Sequence, residues 1–369
     1  MNYFGLVWCL LWSLSCICQD SLSTGIIIDK DENSIYIASY NVYKLGDIAQ
    51  KYKDIDDGLT PHSYDIADRV KNSANLLAAG DFDIITLQEV KDGPGGVAAV
   101  LDLVEALQTD HQQHFEVVIS DRIGRGLFFE TIAFLYKPDR VELVPINGQT
   151  TALIESSNPR NRKFAKTQWK AGDFDFTLIS CHFSFISNDP SRRQADYIKL
   201  EEILENPTAY SVDPDIIVVG DFNRFGSAKR GEYGVYEMEA DPNVWRAPNV
   251  TCFDPQFNKI REVKSANISH LNVPHSNPQY LSTTCAKNSK VYDIFFFTSD
   301  VSEEFPSGHN EEVYGRDWGI FQFDEVGGVG YVEGMERQTN EAVKHAYSDH
   351  RPIWMRFRTN AGEFDGVMN

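Results

Sequence analysis

No internal repeat and no long low-complexity tract runs through the 369 residues, so a repeat architecture is excluded and disorder is not the default. Positive charge is scarce. Lys and Arg number 34 against 54 Asp and Glu, a formal net charge of −20, which argues against whole-molecule attraction to nucleic acid or to an anionic membrane. Long apolar runs are missing after the first residues. The one at the start, Tyr3 through Leu14, is too short to span a bilayer comfortably. It carries no Lys or Arg, but the small residues Ser15, Cys16 and Cys18 follow it, and the stretch reads as a secretory signal over residues 1–18. A soluble, secreted protein is expected, with a domain over 19–359 and a flexible tail over 360–369.

Cysteine is sparse too. Cys9, Cys16 and Cys18 would leave with the signal, so Cys181, Cys252 and Cys285 remain. An odd count in an oxidising compartment implies one pair and one buried thiol. Cys181 lies in an apolar run while Cys252 and Cys285 lie in polar, loop-like sequence, so a Cys252–Cys285 disulfide is expected. Asn249-Val250-Thr251 and Asn267-Ile268-Ser269 are glycosylation acceptors in a eukaryotic secreted chain, at Asn249 and Asn267.

With 42% hydrophobic residues the chain can bury a large core. Runs rich in β-branched and aromatic residues predict strands over 34–41, 84–89, 115–120, 130–136, 174–183, 216–221, 291–298 and 352–358. Helical spacing of apolar residues predicts helices over 63–79, 96–109 and 191–206. Many strands with few helices imply an α/β four-layer sandwich, two packed and mainly antiparallel β-sheets flanked by helices. The Gly- and Glu-rich stretch 302–344 reads as a long surface excursion.

The strand ends carry the chemistry. Asp83 through Glu89, Phe176 through His182 and Val218 through Asn223 are apolar runs that finish on Glu, His, Asp or Asn, and Ser348-Asp349-His350 stands just before another apolar run. Several strands ending in metal or proton-transfer ligands describe a catalytic floor.

Ser39-Tyr40-Asn41-Val42, Leu87-Gln88-Glu89-Val90, Glu130 through Tyr136, Ser180-Cys181-His182, Gly220-Asp221-Phe222-Asn223, Tyr292-Asp293 and Ser348-Asp349-His350 occur in the order of the endonuclease/exonuclease/phosphatase superfamily. The resemblance runs from about Ile35 to Phe357. Leu87 through Asp92, and Thr283-Thr284-Cys285-Ala286 ahead of Tyr292-Asp293, look most like its secreted deoxyribonuclease I branch. The resemblance implies an endonuclease that hydrolyses DNA phosphodiesters with little sequence preference, working as a monomer without stable membrane association.

Such hydrolysis needs charge neutralised on the phosphate, an activated water and a protonated leaving oxygen. Glu89, the carbonyl of Asn41 and Asp349 are the expected ligands of Mg²⁺, with Mn²⁺ or Ca²⁺ as alternatives suited to the same hard oxygens. Two histidines are the natural proton carriers: His350 as base on water, paired with Asp293, and His182 as acid, which the resemblance pairs with Glu130. The sequence leaves the order of the two roles open. The family also implies that Asn223 donates to a phosphate oxygen and that Asp221 faces metal or nucleophile. Arg162 stands where the family places a minor-groove Arg, and the Arg160 to Lys166 and Arg192-Arg193 clusters are the local basic spots that could offset the acidic charge. Departures are visible. The segment Pro145 through Thr151 lacks an acidic calcium loop, Phe128 replaces a groove-reading Tyr, and Ile294 replaces an Arg. The same motifs serve lipid phosphodiesterases of sphingomyelinase or phosphoinositide phosphatase type, or a toxin-like nuclease subunit, so the substrate stays open.

Overall fold

The structure is a computed structural model, which describes residues 30–46, 66–124, 129–184, 190–223, 228–230, 236–238, 292–298, 300–302, 304, 318–321, 323 and 347–360. The signal segment, Cys252, Cys285, Asn249, Asn267, Phe128 and the tail from 361 onward lie outside the described residues. The strands are β1 Ser34–Leu45, β2 Ile84–Lys91, β3 Glu116–Ile119, β4 Glu130–Tyr136, β5 Glu142–Val144, β6 Ala152–Ile154, β7 Phe164–Ala171, β8 Phe174–His182, β9 Ile216–Asp221, β10 Ala228–Arg230, β11 Tyr236–Met238, β12 Asp293–Phe297, β13 Trp318–Ile320 and β14 Ile353–Arg358. The helices are α1 Ile66–Gly80, α2 Pro94–His111 and α3 Pro190–Glu205.

Two six-stranded sheets result, ordered β13-β14-β1-β2-β4-β3 and β12-β9-β8-β7-β5 with β6 also on β7, beside a β10–β11 ribbon. Among the described residues, only β1–β2 and β8–β9 pair in parallel; the other pairings are antiparallel. Strand alternation divides the apolar side chains into three buried layers. Tyr36, Ala38, Tyr40, Ile85 and Leu87 face Val70, Leu77, Val100, Leu103 and Leu107 of α1 and α2. Ile35, Ile37, Ile84, Phe134 and Phe357 face Trp169, Leu178, Ile217, Val219 and Phe295 across the seam between the sheets. Ile179, Val218, Ile294 and Phe296 face Tyr197, Leu200, Ile203 and Leu204 of α3. That is the expected four-layer sandwich. Each fully buried aromatic or aliphatic side chain in these layers contributes about 1.5–3 kcal/mol.

The expected strands and helices are all found, and others join them. β7 was hidden because Lys166, Gln168 and Lys170 alternate with buried Thr167, Trp169 and Ala171 along the strand. Inside the expected surface excursion, β13 extends the first sheet, and Ile320, Phe321 and Phe323 are buried. That part of residues 302–344 therefore belongs to the core. Among the described residues no helix is long and apolar enough to cross a membrane.

The two parallel pairs deliver their C-terminal ends to one edge of the seam. There Asn41 is opposite Gln88, and His182, Asp221 and Asp293 stand in register across three strands. Register slips beyond Asn41 and beyond Leu87 bend the strands at this edge. The close approach of β8 and β9 requires Gly220. At its φ of +143° a Cβ would meet the Cys181 carbonyl oxygen at 2.0 Å. Gly220→Ala is therefore expected to lower unfolding free energy by on the order of 1–3 kcal/mol, read from urea midpoints. An unchanged midpoint would contradict this packing.

Candidate active site

At that edge a buried polar cluster is assembled around Asp221. Asn41 donates its amide NH2 to Glu89 Oε1 and to Asp221 Oδ2, at 3.0 Å each. Its carbonyl accepts from the Tyr43 backbone N–H at 3.0 Å. In this orientation Asn41 bridges two carboxylates instead of offering the carbonyl oxygen expected of a metal ligand. His182 Nε2 is 3.8 Å from Glu89 Oε1 and 3.6 Å from Asp221 Oδ2, and His350 Nε2 is 3.7 Å from the same Asp221 oxygen. Each imidazole has its own carboxylate behind it: His182 Nδ1 is 3.1 Å from Glu130 Oε2, and His350 Nδ1 is 2.7 Å from Asp293 Oδ2.

The backbone is strained where these groups are presented. Glu89 has a left-handed φ of +60° and Asn223 one of +45°, positions a branched or bulky residue tolerates poorly and that cluster at functional sites. Tyr43 and Lys44 are left-handed as well, at +45° and +55°. That turn is fastened by Arg69 of α1, which donates to the Val42 and Tyr43 carbonyls at 2.7 and 2.6 Å. Ser348 Oγ donates to the Asn41 backbone carbonyl at 2.6 Å and accepts from the His350 backbone N–H at 3.1 Å, fixing the His350 segment to β1 at Asn41. Under the site Gln88, fully buried, donates to Ser39 Oγ, Thr86 Oγ1 and Ser180 Oγ at 3.1, 2.9 and 2.9 Å, joining the two sheets.

The two histidines have opposite electrostatic settings. Burial, helped by the Arg162 guanidinium, pushes His182 down to about 4. This favours a neutral ring near pH 7, with Nδ1 against Glu130 and Nε2 facing Glu89 and Asp221. Burial also works against a charged His350, but the Asp293 and Asp221 carboxylates outweigh it and hold the group well above its ordinary value. This favours a charged His350, whose Nε2 faces Asp221 Oδ2 at 3.7 Å. Burial raises Asp221 itself, against the pull of both histidines. Burial and neighbouring charge thus push the two rings in opposite directions, His182 toward the neutral form and His350 toward the charged one.

Other expected residues take different places. β9 ends at Asp221, so the strand does not continue to Asn223, whose NH2 donates to the Phe183 carbonyl at 2.9 Å while its N–H donates to Asp221 Oδ1 at 2.8 Å. Arg162, expected at a minor groove, is mostly buried, its Nε ion-paired with Glu130 and its Nη1 donating to the Phe183 carbonyl at 3.2 Å. The neighbouring cations are engaged as well. Lys163 pairs with Glu155 at 2.6 Å, Lys166 donates to the Tyr210 carbonyl at 2.5 Å, and Arg192 donates to Asn161 Oδ1 at 2.7 Å. Asp349 adjoins His350, and its charge adds to raising that group. Sequence reasoning passed over Arg69, Gln88 and Ser348, of which Gln88 and Ser348 lay inside the quoted motifs.

Among the described residues Glu89, His182 and Asp221 form a group able to hold a metal ion, with one ligand atom from each within 4.8 Å of the others. The donor set fits a divalent cation. The Glu89 and Asp221 carboxylates converge, with His182 Nε2 close to both.

No family model matches the chain. Among curated proteins it is similar to deoxyribonuclease-1 of Equus caballus, 26% identical over 228 residues that cover 58% of this chain and 69% of that protein. The pig enzyme of the same name, from Sus scrofa, is 26% identical over 184 residues, covering 46% of this chain and 59% of its own length. Among solved structures, a humanized D. rerio TDP2 has a TM-score of 0.47 at 15% identity, covering 89% of this chain and all of that one. The human Nocturnin catalytic domain has a TM-score of 0.47 at 14% identity, covering 88% and 94%. In motif order and in site the chain resembles the endonuclease/exonuclease/phosphatase superfamily, and the curated relatives lie in its deoxyribonuclease I branch.

The opposite settings predict a titration. In metal-free protein, imidazole NMR signals should show His182 neutral down to about pH 4 and His350 still charged at pH 7. The stability terms follow in sign. His350, raised, stabilises the fold below the unfolded value of about 6.5 and loses that contribution as pH rises through its folded value. His182, depressed, costs stability as pH falls from about 6.5 toward 4. Two histidines titrating together near pH 6.5 would contradict the arrangement.

Proposed function

We propose that the chain is a divalent-metal-dependent phosphodiester hydrolase and that its substrate is DNA, cut with little sequence preference. The observation that carries this reading is the meeting of Glu89 and Asp221 with two oppositely set histidines, each backed by its own carboxylate. Glu89 and Asp221 would hold the cation, Mg²⁺ in the first place. When bound, such an ion neutralises charge on the phosphate and lowers the pKa of water. The choice of DNA is supported by the deoxyribonuclease-1 relatives.

The chain's own groups then divide the proton work. Neutral His182, oriented by Glu130, accepts a proton from water through Nε2. Cationic His350, anchored by Asp293, donates from Nε2 to the leaving oxygen or to a phosphate oxygen. Asn41 holds the two carboxylates in place. We further propose that the protein is secreted after removal of residues 1–18 and works as a monomer. With a net charge of −20, association with DNA should be weak at physiological salt and steeply dependent on cations. A lipid substrate would call for an exposed apolar hairpin. The triplet Phe295-Phe296-Phe297 does not provide one, because all three side chains are buried in β12.

Protein beginning at Asp20 should nick supercoiled plasmid with Mg²⁺ and stop when EDTA is added; undiminished nicking in excess chelator would refute metal dependence. Duplex DNA should be turned over faster than RNA, sphingomyelin or a phosphoinositide in parallel assays, and a lipid far ahead of DNA would overturn the substrate. His182→Ala and His350→Ala should each reduce turnover by about two to four orders of magnitude. A folded histidine variant of near-normal activity would remove that residue from the chemistry.

A further inference from the structure

Behind His182 lies a second buried polar cluster that the proton transfers leave unused. Asp196 of α3 is 1% exposed. Its Oδ1 accepts from Ser156 Oγ at 2.6 Å and from Asn161 Nδ2 at 2.7 Å, and its Oδ2 accepts from the Ser184 backbone N–H at 3.1 Å. These contacts reach both segments that shape the His182 end of the site. Ser184 is two residues past His182, and between them the Phe183 carbonyl accepts from Arg162 Nη1 at 3.2 Å and Asn223 Nδ2 at 2.9 Å. Asn161 directly precedes Arg162, whose guanidinium pairs with Glu130, the carboxylate behind His182.

We propose that Asp196 is a positioning residue, holding the Ser184 and Asn161 segments at a fixed separation and thereby setting His182 against Glu130 and Arg162. It touches none of the reacting groups, and its kinetic consequences rest on the hydrolase reading above. Only a carboxylate meets both demands. The Ser184 N–H and the Asn161 NH2 can only donate, and they address different oxygens of Asp196. An amide at 196 would turn its NH2 toward one of them, placing donor against donor in a buried site. Burial raises the Asp196 carboxyl to about 6, while the hydrogen bonds from Ser156, Asn161 and Ser184 work to lower it. A buried acid is thus retained in α3 where an apolar residue would be less costly to bury.

The test is Asp196→Asn in the full chain. The imidazole signals of His182 should shift in a folded protein, and kcat for plasmid nicking should fall about ten- to a hundredfold with KM nearly unchanged, as expected for a displaced catalytic group. Ser156→Ala removes one donor from the same carboxylate and leaves Asn161 and Ser184 bonded to it. It should move the His182 signals the same way by less, and it decides the matter if Asp196→Asn does not fold. Unmoved His182 signals in the folded variants would overturn the proposal. If the wild-type chain hydrolyses no phosphodiester, the hydrolase reading fails, and the His182 signals still decide the role of Asp196.

Discussion

A single buried carboxylate, Asp221, organises this structure. It ends β9 at the seam of two sheets, 2% exposed, with the Nε2 atoms of His182 and His350 at 3.6 and 3.7 Å from one oxygen. A charge placed so deep must be compensated. The compensation comes from charged His350, from the NH2 of Asn41 and from the backbone N–H of Asn223. The strained backbone at Glu89 and Asn223 follows from bringing further groups to the same point. The strand ends alone would splay past it.

The opposed histidines are a consequence of which charges each one meets. Both are buried, and burial alone would leave both neutral. His350 meets two carboxylates at close range, which push it toward the charged form; His182 meets a guanidinium as well as carboxylates and is pushed toward the neutral one. Arg162 therefore acts on His182 from behind, through its charge and its pair with Glu130. Near it Lys163, Lys166 and Arg192 are engaged by internal partners as well. Gln88, Arg69 and Ser348 keep the floor rigid by tying β1, β2, β8, α1 and the His350 segment together, and a polar network of this kind specifies one arrangement when all its members are satisfied.

Much of this was legible in the sequence because strand-end chemistry is local. Apolar runs finishing in Glu89, His182 and Asp221 mark both the strands and the edge where they meet. The layers were legible through alternation, as in β12, where Ile294 and Phe296 face α3 while Phe295 and Phe297 face the seam. β7 and β13 were not, because a half-buried strand with Lys at every second position and a three-residue edge strand carry little pattern of their own. The orientation of Asn41, the burial of Arg162 and the place of Asp196 were beyond reach for another reason. Each depends on partners far away in the chain, such as Asp221 for Asn41, and no spacing encodes them.

The most direct measurement is turnover by Asp221→Asn under saturating Mg²⁺, on protein shown to be folded. An amide keeps the volume and loses the charge about which both histidines and the cation are arranged. The expected result is a fall in kcat of at least about a hundredfold, in the range seen when one element of a preorganised electrostatic site is removed. Activity within a few-fold of the unsubstituted chain would contradict the central place given to Asp221.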